Sequence, residues 1–284
     1  MALFRIALLL GLLAVAATGA CLHLLPPGTI SWSTLEFPRN TISMMLHYAA
    51  AKYGHLRTTG QVGDGREASV LAHVQKTVPA GNAESVLKAI DELAWGGTFL
   101  MNVGPEKGLI LDEVIRSNKP CMVLEIGSYV GYSAVRIGSQ LAPGCKLYSI
   151  EFNADNAEVA RGVVKHAGLD QTVEVITGTL QSVTEVLHKE KGVSTFDLVF
   201  LDHFKKYYLG DLKLLLHEEF LKTGSIVVAD NVGYPGVPDY LEYMEKTSDF
   251  ETARHETKLE YSKTVPDLML VSSYKPQSLG HRTS

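Results

Sequence analysis

Cysteine is scarce in this chain of 284 residues: Cys21, Cys121 and Cys145 are the only three. An odd number at wide spacing supplies neither a disulfide framework nor a zinc ligand set, so free buried thiols in a reducing compartment are the expectation. No Asn-x-Ser/Thr triplet occurs, which removes one sign of exposure to a secretory lumen. Long blocks of one charge sign are missing as well, and a formal net charge of −5 gives no general drive toward nucleic acid. There is no internal repeat. Mean hydropathy is near zero, against a polytopic membrane protein, while an apolar share of 46% is enough to fill one large core.

One long apolar run does exist. Residues 6–25 carry no charge and follow Arg5; roughly 20 apolar residues suffice to cross a bilayer as a helix. The small residues from Ala14 to Cys21 also admit a cleaved signal peptide, but the run is long for one, and a retained single-pass anchor over residues 1–28 is the favoured reading. Arg5 and Arg39 are the nearest basic residues on either side, too few to orient it. Residues 29–65 read as a linker with an amphipathic stretch at 42–53, residues 66–274 as the main folded domain, and 275–284 as a disordered tail.

Within 66–274 the pattern is regular. Glu67–Val78 and Ala83–Leu93 carry apolar residues at helical spacing, and Pro79-Ala80-Gly81-Asn82 supplies a stop and the next N-cap. After Pro120, short apolar strands are expected at Met122–Ile126, Lys146–Ile150, Val173–Ile176, Leu198–Leu201 and Ile226–Ala229, with helices between them such as Ala154–Ala167 and Leu180–Lys189. Asp267–Ser273 adds one more strand. Strands alternating with helices indicate an α/β fold with a mostly parallel, doubly wound sheet.

The first strand runs into Gly127-Ser128-Tyr129-Val130-Gly131. Glycine there lets backbone approach a ligand, and the following helix offers free N–H groups. The spacing is Gly-x-x-x-Gly, not the dinucleotide fingerprint, which disfavours NAD. Glu151 ends the second strand roughly 20 residues on, where an acid accepts hydrogen bonds from a ribose diol. With Glu125 it makes the acidic pair typical of S-adenosylmethionine sites; the plainer alternative is that Glu151 caps the next helix. Two later strands end in Asp202 and in Asp230-Asn231. Strand C-termini line the ligand crevice of a doubly wound sheet, and an all-oxygen set without paired histidines or cysteines suits Mg²⁺ better than zinc. Lys205, three residues past Asp202, would have its neutral form favoured beside a divalent cation and could then serve as a general base.

The segments 81–87, 101–104, 123–136, 200–205, 229–232 and 259–261 resemble the catechol O-methyltransferase family, in family order over about residues 66–273. The apolar N-terminal run makes the transmembrane branch of that family, found in sensory hair cells, the nearer likeness. The resemblance implies a Rossmann-like, class I S-adenosylmethionine-dependent methyltransferase fold acting on catechols, catecholamines among them. Asp202, Asp230 and Asn231 would hold Mg²⁺, Lys205 would deprotonate one catechol hydroxyl, and Glu260 would hydrogen-bond the other. Val103, Glu125, Gly127, Tyr129, Ser133, Glu151, Gln181 and Asp202 would line the cofactor site, with Met101 and His203 touching its methionine or adenine end and Pro235 on the rim. Three positions depart from the family: Leu180 stands where a serine is usual, and Phe99 and Phe204 replace tryptophans. The same branch implies a role in hearing through delivery of mechanotransduction channel proteins. That leaves an alternative in which the anchored chain is chiefly an interaction or trafficking factor. A membrane of the endoplasmic reticulum or secretory pathway is the expected location, with the cytoplasm as the alternative side for the catalytic domain.

Overall fold

The structure, a computed structural model, describes residues 55–276. The expected anchor at 6–25, Cys21, the stretch at 42–53 and residues 277–284 of the tail lie outside the described residues. Among the described residues, no helix is long and apolar enough to cross a membrane.

Among the described residues, four helices come first: α1 (His55–Thr59), α2 (Arg66–Thr77), α3 (Ala83–Trp95) and α4 (Gly104–Asn118). Asn82 caps α3 as its position suggests, its side chain accepting from the Ser85 N–H at 2.9 Å. The alternating part follows as β1 (Met122–Ile126), α5 (Tyr132–Gly138), β2 (Lys146–Glu151), α6 (Ala154–His166), β3 (Val173–Thr177), α7 (Leu180–Glu185), β4 (Phe196–Leu201), α8 (Tyr208–His217), β5 (Leu221–Ala229) and α9 (Pro238–Lys246). The helix expected through Lys189 ends early: from Val186 to Glu190 it widens into a π turn, with Lys191 N–H bonded to the Val186 carbonyl. The chain closes on an antiparallel pair, β6 (Phe250–Lys258) and β7 (Pro266–Tyr274).

The seven strands lie in the order β3-β2-β1-β4-β5-β7-β6. The first five are parallel, while β7 runs antiparallel to both neighbours. Side-chain alternation explains why the parallel strands read as unbroken apolar runs. Val123, Leu198, Phe200, Ile226 and Val228 fill the core on one face, and Leu124, Val199, Leu201, Val227 and Ala229 fill the core on the other. Both faces are covered, so both sets must be apolar.

Helix α4 and strand β6 are among the elements that escaped the sequence reading. The helix α4 turns Gly104, Lys107, Gly108, Leu111, Val114 and Ile115 inward, so glycine and a lysine interrupt the apolar stripe that would mark it. The edge strand β6 alternates charged and polar side chains over Phe250–Lys258, as an edge that resists pairing with another chain should.

The free-thiol expectation is overturned for two of the three cysteines. Cys121 and Cys145 form a disulfide with a Cα–Cα distance of 4.4 Å. Met122 pairs with Lys146 across β1 and β2, so the residues just before them face one another. Nothing local in sequence shows this, because it depends on β1 and β2 being neighbours. Persistence of the bond suits an oxidising compartment. Without reductant, proteolysis of the denatured chain should leave the Cys121 and Cys145 peptides linked. Reduction is expected to lower the unfolding free energy by about 3 kcal/mol; free alkylation of both thiols in the unreduced protein would refute the pairing.

Candidate active site

The sheet reverses its winding between β1 and β4, and the crevice at that switch point is where a doubly wound sheet takes its ligand. There the turn after β1 is pinned on both sides. The N–H groups of Gly127 and Ser128 bond the Ile150 carbonyl, and the Asp202 N–H bonds the Ile126 carbonyl at 3.0 Å. Gly127 has φ 107°, and a Cβ on it would stand 2.2 Å from the Asp202 carbonyl oxygen. Only glycine fits that approach.

Glu151 is not the cap of α6; Asn153 is, accepting from the Asn156 N–H. The Glu151 carboxylate instead accepts from the Tyr129 N–H at 2.8 Å and the Asn153 N–H at 3.0 Å. Burial pushes it up to about 7. Tyr129 takes the left-handed conformation, with φ 48°, and its hydroxyl donates to Glu67 at 2.9 Å, which fastens the start of α2 to the turn. Glu125 lies fully inside. The Ser149 hydroxyl donates to it, Ser128 contacts Ser149 in turn, and burial raises Glu125 to about 7 as well. Ser133 is buried in the first turn of α5.

The other half of the crevice is built from acids and two lysines. Lys205 donates from Nζ to the Tyr208 hydroxyl at 2.6 Å, to Asp202 Oδ1 at 3.1 Å and to the Asp230 carbonyl at 3.4 Å. Burial holds the Tyr208 hydroxyl well above the usual tyrosine range. It therefore stays a donor, and it reaches the Leu201 and Asp230 carbonyls at 2.9 and 3.1 Å. Asn231, left-handed at φ 54°, directs its amide nitrogen to Asp267 Oδ2 at 2.9 Å and Glu260 Oε2 at 3.2 Å. Because β7 is antiparallel to β5, its first residues return to the C-terminal end of β5. That reversal brings Asp267 and the β6–β7 loop with Glu260 to Asp230 and Asn231.

Lys107 at the base of α4 was not anticipated. Its Nζ stands 2.8 Å from Asp230 Oδ2, 2.8 Å from Glu260 Oε2 and 3.1 Å from Asp267 Oδ2, with the side chain fully buried. Burial works to lower its pKa, but the surrounding carboxylates outweigh that and hold it well above the usual lysine range. Asp267 and Tyr208 were likewise missed as site residues. The available signals were weak: a lysine on the inward face of a helix, and an acid opening an otherwise apolar strand. Among the described residues, no group of three or more His, Cys, Asp or Glu side chains is arranged by itself to hold a metal ion; the ammonium groups of Lys107 and Lys205 lie between the acids.

The remaining expected positions spread around this centre. Val103 is buried at the N-terminus of α4, and Met101 is half-buried just before it. Burial holds the His203 imidazole below its usual range, against the pull of Asp211, whose Oδ2 lies 2.8 Å from Nε2. Phe99 is buried edge-on against Tyr261, and Leu180 is fully buried in the core beneath β2 and β4. Phe204 is half-buried beside Tyr207, while Gln181 and Pro235 are exposed.

Comparison with known proteins agrees with this architecture. The profile of the O-methyltransferase family matches residues 82–255. Over 207 residues the chain is 44% identical to bovine catechol O-methyltransferase, covering 73% of this chain and 76% of that one. It is 43% identical over 231 residues to a probable O-methyltransferase of Mycobacterium tuberculosis, covering 79% and 99%. Human transmembrane O-methyltransferase is 34% identical over 194 residues, covering 68% and 67%. The solved O-methyltransferase of Bacillus cereus superposes with a TM-score of 0.59 at 20% identity, over 73% of this chain and 97% of that one, and supports the fold alone. With a class I S-adenosylmethionine-dependent methyltransferase fold and these relatives, the chain belongs to the O-methyltransferase family, in its catechol O-methyltransferase-like part.

Proposed function

We propose that the chain transfers a methyl group from S-adenosylmethionine to one hydroxyl of a catechol in a Mg²⁺-dependent reaction, with Lys205 as general base. The observation that carries this reading is the convergence of Lys205, Asp202, Asp230, Asn231 and Glu260 at the ends of β4 and β5 and in the loop before β7. The donor set fits the ion. Asp202 and Asp230 offer hard oxygen ligands, and Asn231, with its amide nitrogen committed to Asp267 and Glu260, keeps its amide oxygen for a third.

When bound, the cation supplies positive charge that favours ionisation of a phenol, and S-adenosylmethionine supplies an electrophilic methyl on a sulfonium. The chain's own residues do the rest. Lys205 takes the proton of the reacting hydroxyl at Nζ, held in place by Tyr208 and Asp202. Glu260 accepts a hydrogen bond from the neighbouring hydroxyl, which distinguishes a catechol from a monophenol. Glu151 accepts from the ribose, with Gly127, Tyr129, Ser133, Gln181 and Glu125 forming or backing the cofactor wall, and Met101, Val103 and His203 closing it. Rate enhancement then rests on alignment and preorganised charge.

Purified full-length chain should methylate dopamine only with Mg²⁺. Lys205→Ala should lower kcat on the order of 10²–10⁴-fold while leaving cofactor affinity unchanged. Equal turnover with and without Mg²⁺ would sink the metal assignment, and equal turnover of a monophenol would sink the catechol assignment. If Lys205→Ala instead restores function fully to cells lacking the protein, the trafficking reading gains. The altered walls at Phe99, Leu180 and Phe204 are what keep it in view.

Glu151 makes cofactor binding pH-dependent. Its folded value of about 7 lies above the ordinary 4.5, so the folded chain holds more protons between those values. Its contribution to stability is greatest below about 4.5 and falls as pH rises toward about 7. Ribose hydroxyls donate to the ionised carboxylate, so affinity for S-adenosylhomocysteine should tighten as pH rises through the same window. Calorimetry on the wild type and Glu151→Gln checks this; a flat profile in the wild type rules it out.

We further propose that residues 6–25 anchor the chain in a membrane of the secretory pathway by a single span. The uncharged run and relatives named transmembrane O-methyltransferase support this. The expressed chain should stay with membranes through alkaline carbonate washing, and release into the wash would overturn the anchor.

A further inference from the structure

Four carboxylates meet at this site: Asp202, Asp230, Glu260 and Asp267. A divalent cation has use for only part of that charge. Lys205 touches Asp202, and Lys107 touches the other three. Lys205 gives up its charge to act as base, so Lys107 is the fixed positive charge set against three of these acids.

The two lysines are not equivalent. Lys205 is half-buried beside Tyr208. Lys107 has no exposed surface and reaches the acids from behind, out of α4. Gly104, at φ 71°, lets the base of α4 come close: a Cβ on it would lie 3.2 Å from the Glu260 Cβ. Asp267 is held by backbone as well as by Lys107, its Oδ1 accepting from the Tyr234 and Leu268 N–H groups at 2.9 and 2.7 Å.

We propose that Lys107 is the built-in counter-charge that makes this site select a divalent cation over a trivalent one, with Asp267 as the acid it balances. The inference rests on the cation reading above. It assigns Lys107 a specificity role exerted through Asp230 and Glu260, not contact with the reacting atoms. A fixed charge acts in proportion to the charge of the bound ion, so changing it alters the ratio of trivalent to divalent affinities. A purely structural role would weaken both ions together.

The probes are Mn²⁺, followed by the loss of its free electron paramagnetic resonance signal, and Tb³⁺, followed by its tyrosine-sensitised luminescence, each titrated into the full chain at one pH. Lys107→Met should shift preference toward Tb³⁺ by roughly tenfold or more. Asp267→Asn should shift it toward Mn²⁺ by a similar factor, and the double variant should return to the wild-type ratio. Should Lys107→Met fail to fold, Asp267→Asn against the wild type still decides the matter. A wild type that binds neither ion refutes the cation site itself. A wild type that binds Mn²⁺ while the ratio stays constant across the variants leaves that site standing and overturns the role of Lys107.

Discussion

The ammonium group of Lys107 is the contact on which the acid half of the crevice depends. Carboxylates crowded in a dry interior repel one another, and each costs several kcal/mol to desolvate without a partner. One nitrogen within hydrogen-bond reach of Asp230, Glu260 and Asp267 lets three separate segments meet: the end of β5, the loop after β6 and the start of β7. Their convergence gives the sheet's antiparallel extension a function beyond covering an edge. Without the return of β7 beside β5, Asp230 and Asn231 would be an ordinary strand end.

The half of the crevice around Gly127 and Glu151 is governed by a different constraint, close packing of backbone. Gly127 presses against the Asp202 carbonyl, so the turn after β1 and the strand end bearing Asp202 cannot shift independently. The two halves of the crevice are thereby held at a fixed spacing. Tyr129 extends the same rigidity to α2 through Glu67.

The disulfide lies at the opposite end of β1 and β2, away from the crevice. It joins strands already paired by register, so it reinforces the sheet without shaping the site. It also removes the argument for a reducing compartment that three scattered cysteines had offered.

What was legible in the sequence was whatever local pattern encodes. The parallel strands announced themselves because burial on both faces forces continuous apolar runs. The glycine turn and the acids Glu151, Asp202 and Asp230 stood out as polar punctuation at their ends, where such a sheet keeps its ligands. The chain by itself therefore determined the α/β class and the strand ends that carry these acids. Helix α4 and strand β6 were illegible for physical reasons: one carries a lysine and glycines on its inward face, the other is an edge that stays polar. Glu260 was named by resemblance, since no spacing links it to Asp230. Tertiary structure alone decided that Cys121 faces Cys145, that Asp267 belongs to the site, and that a buried lysine balances its charge. Each of these is a contact between segments far apart in sequence, set by strand order and direction, which no local pattern records.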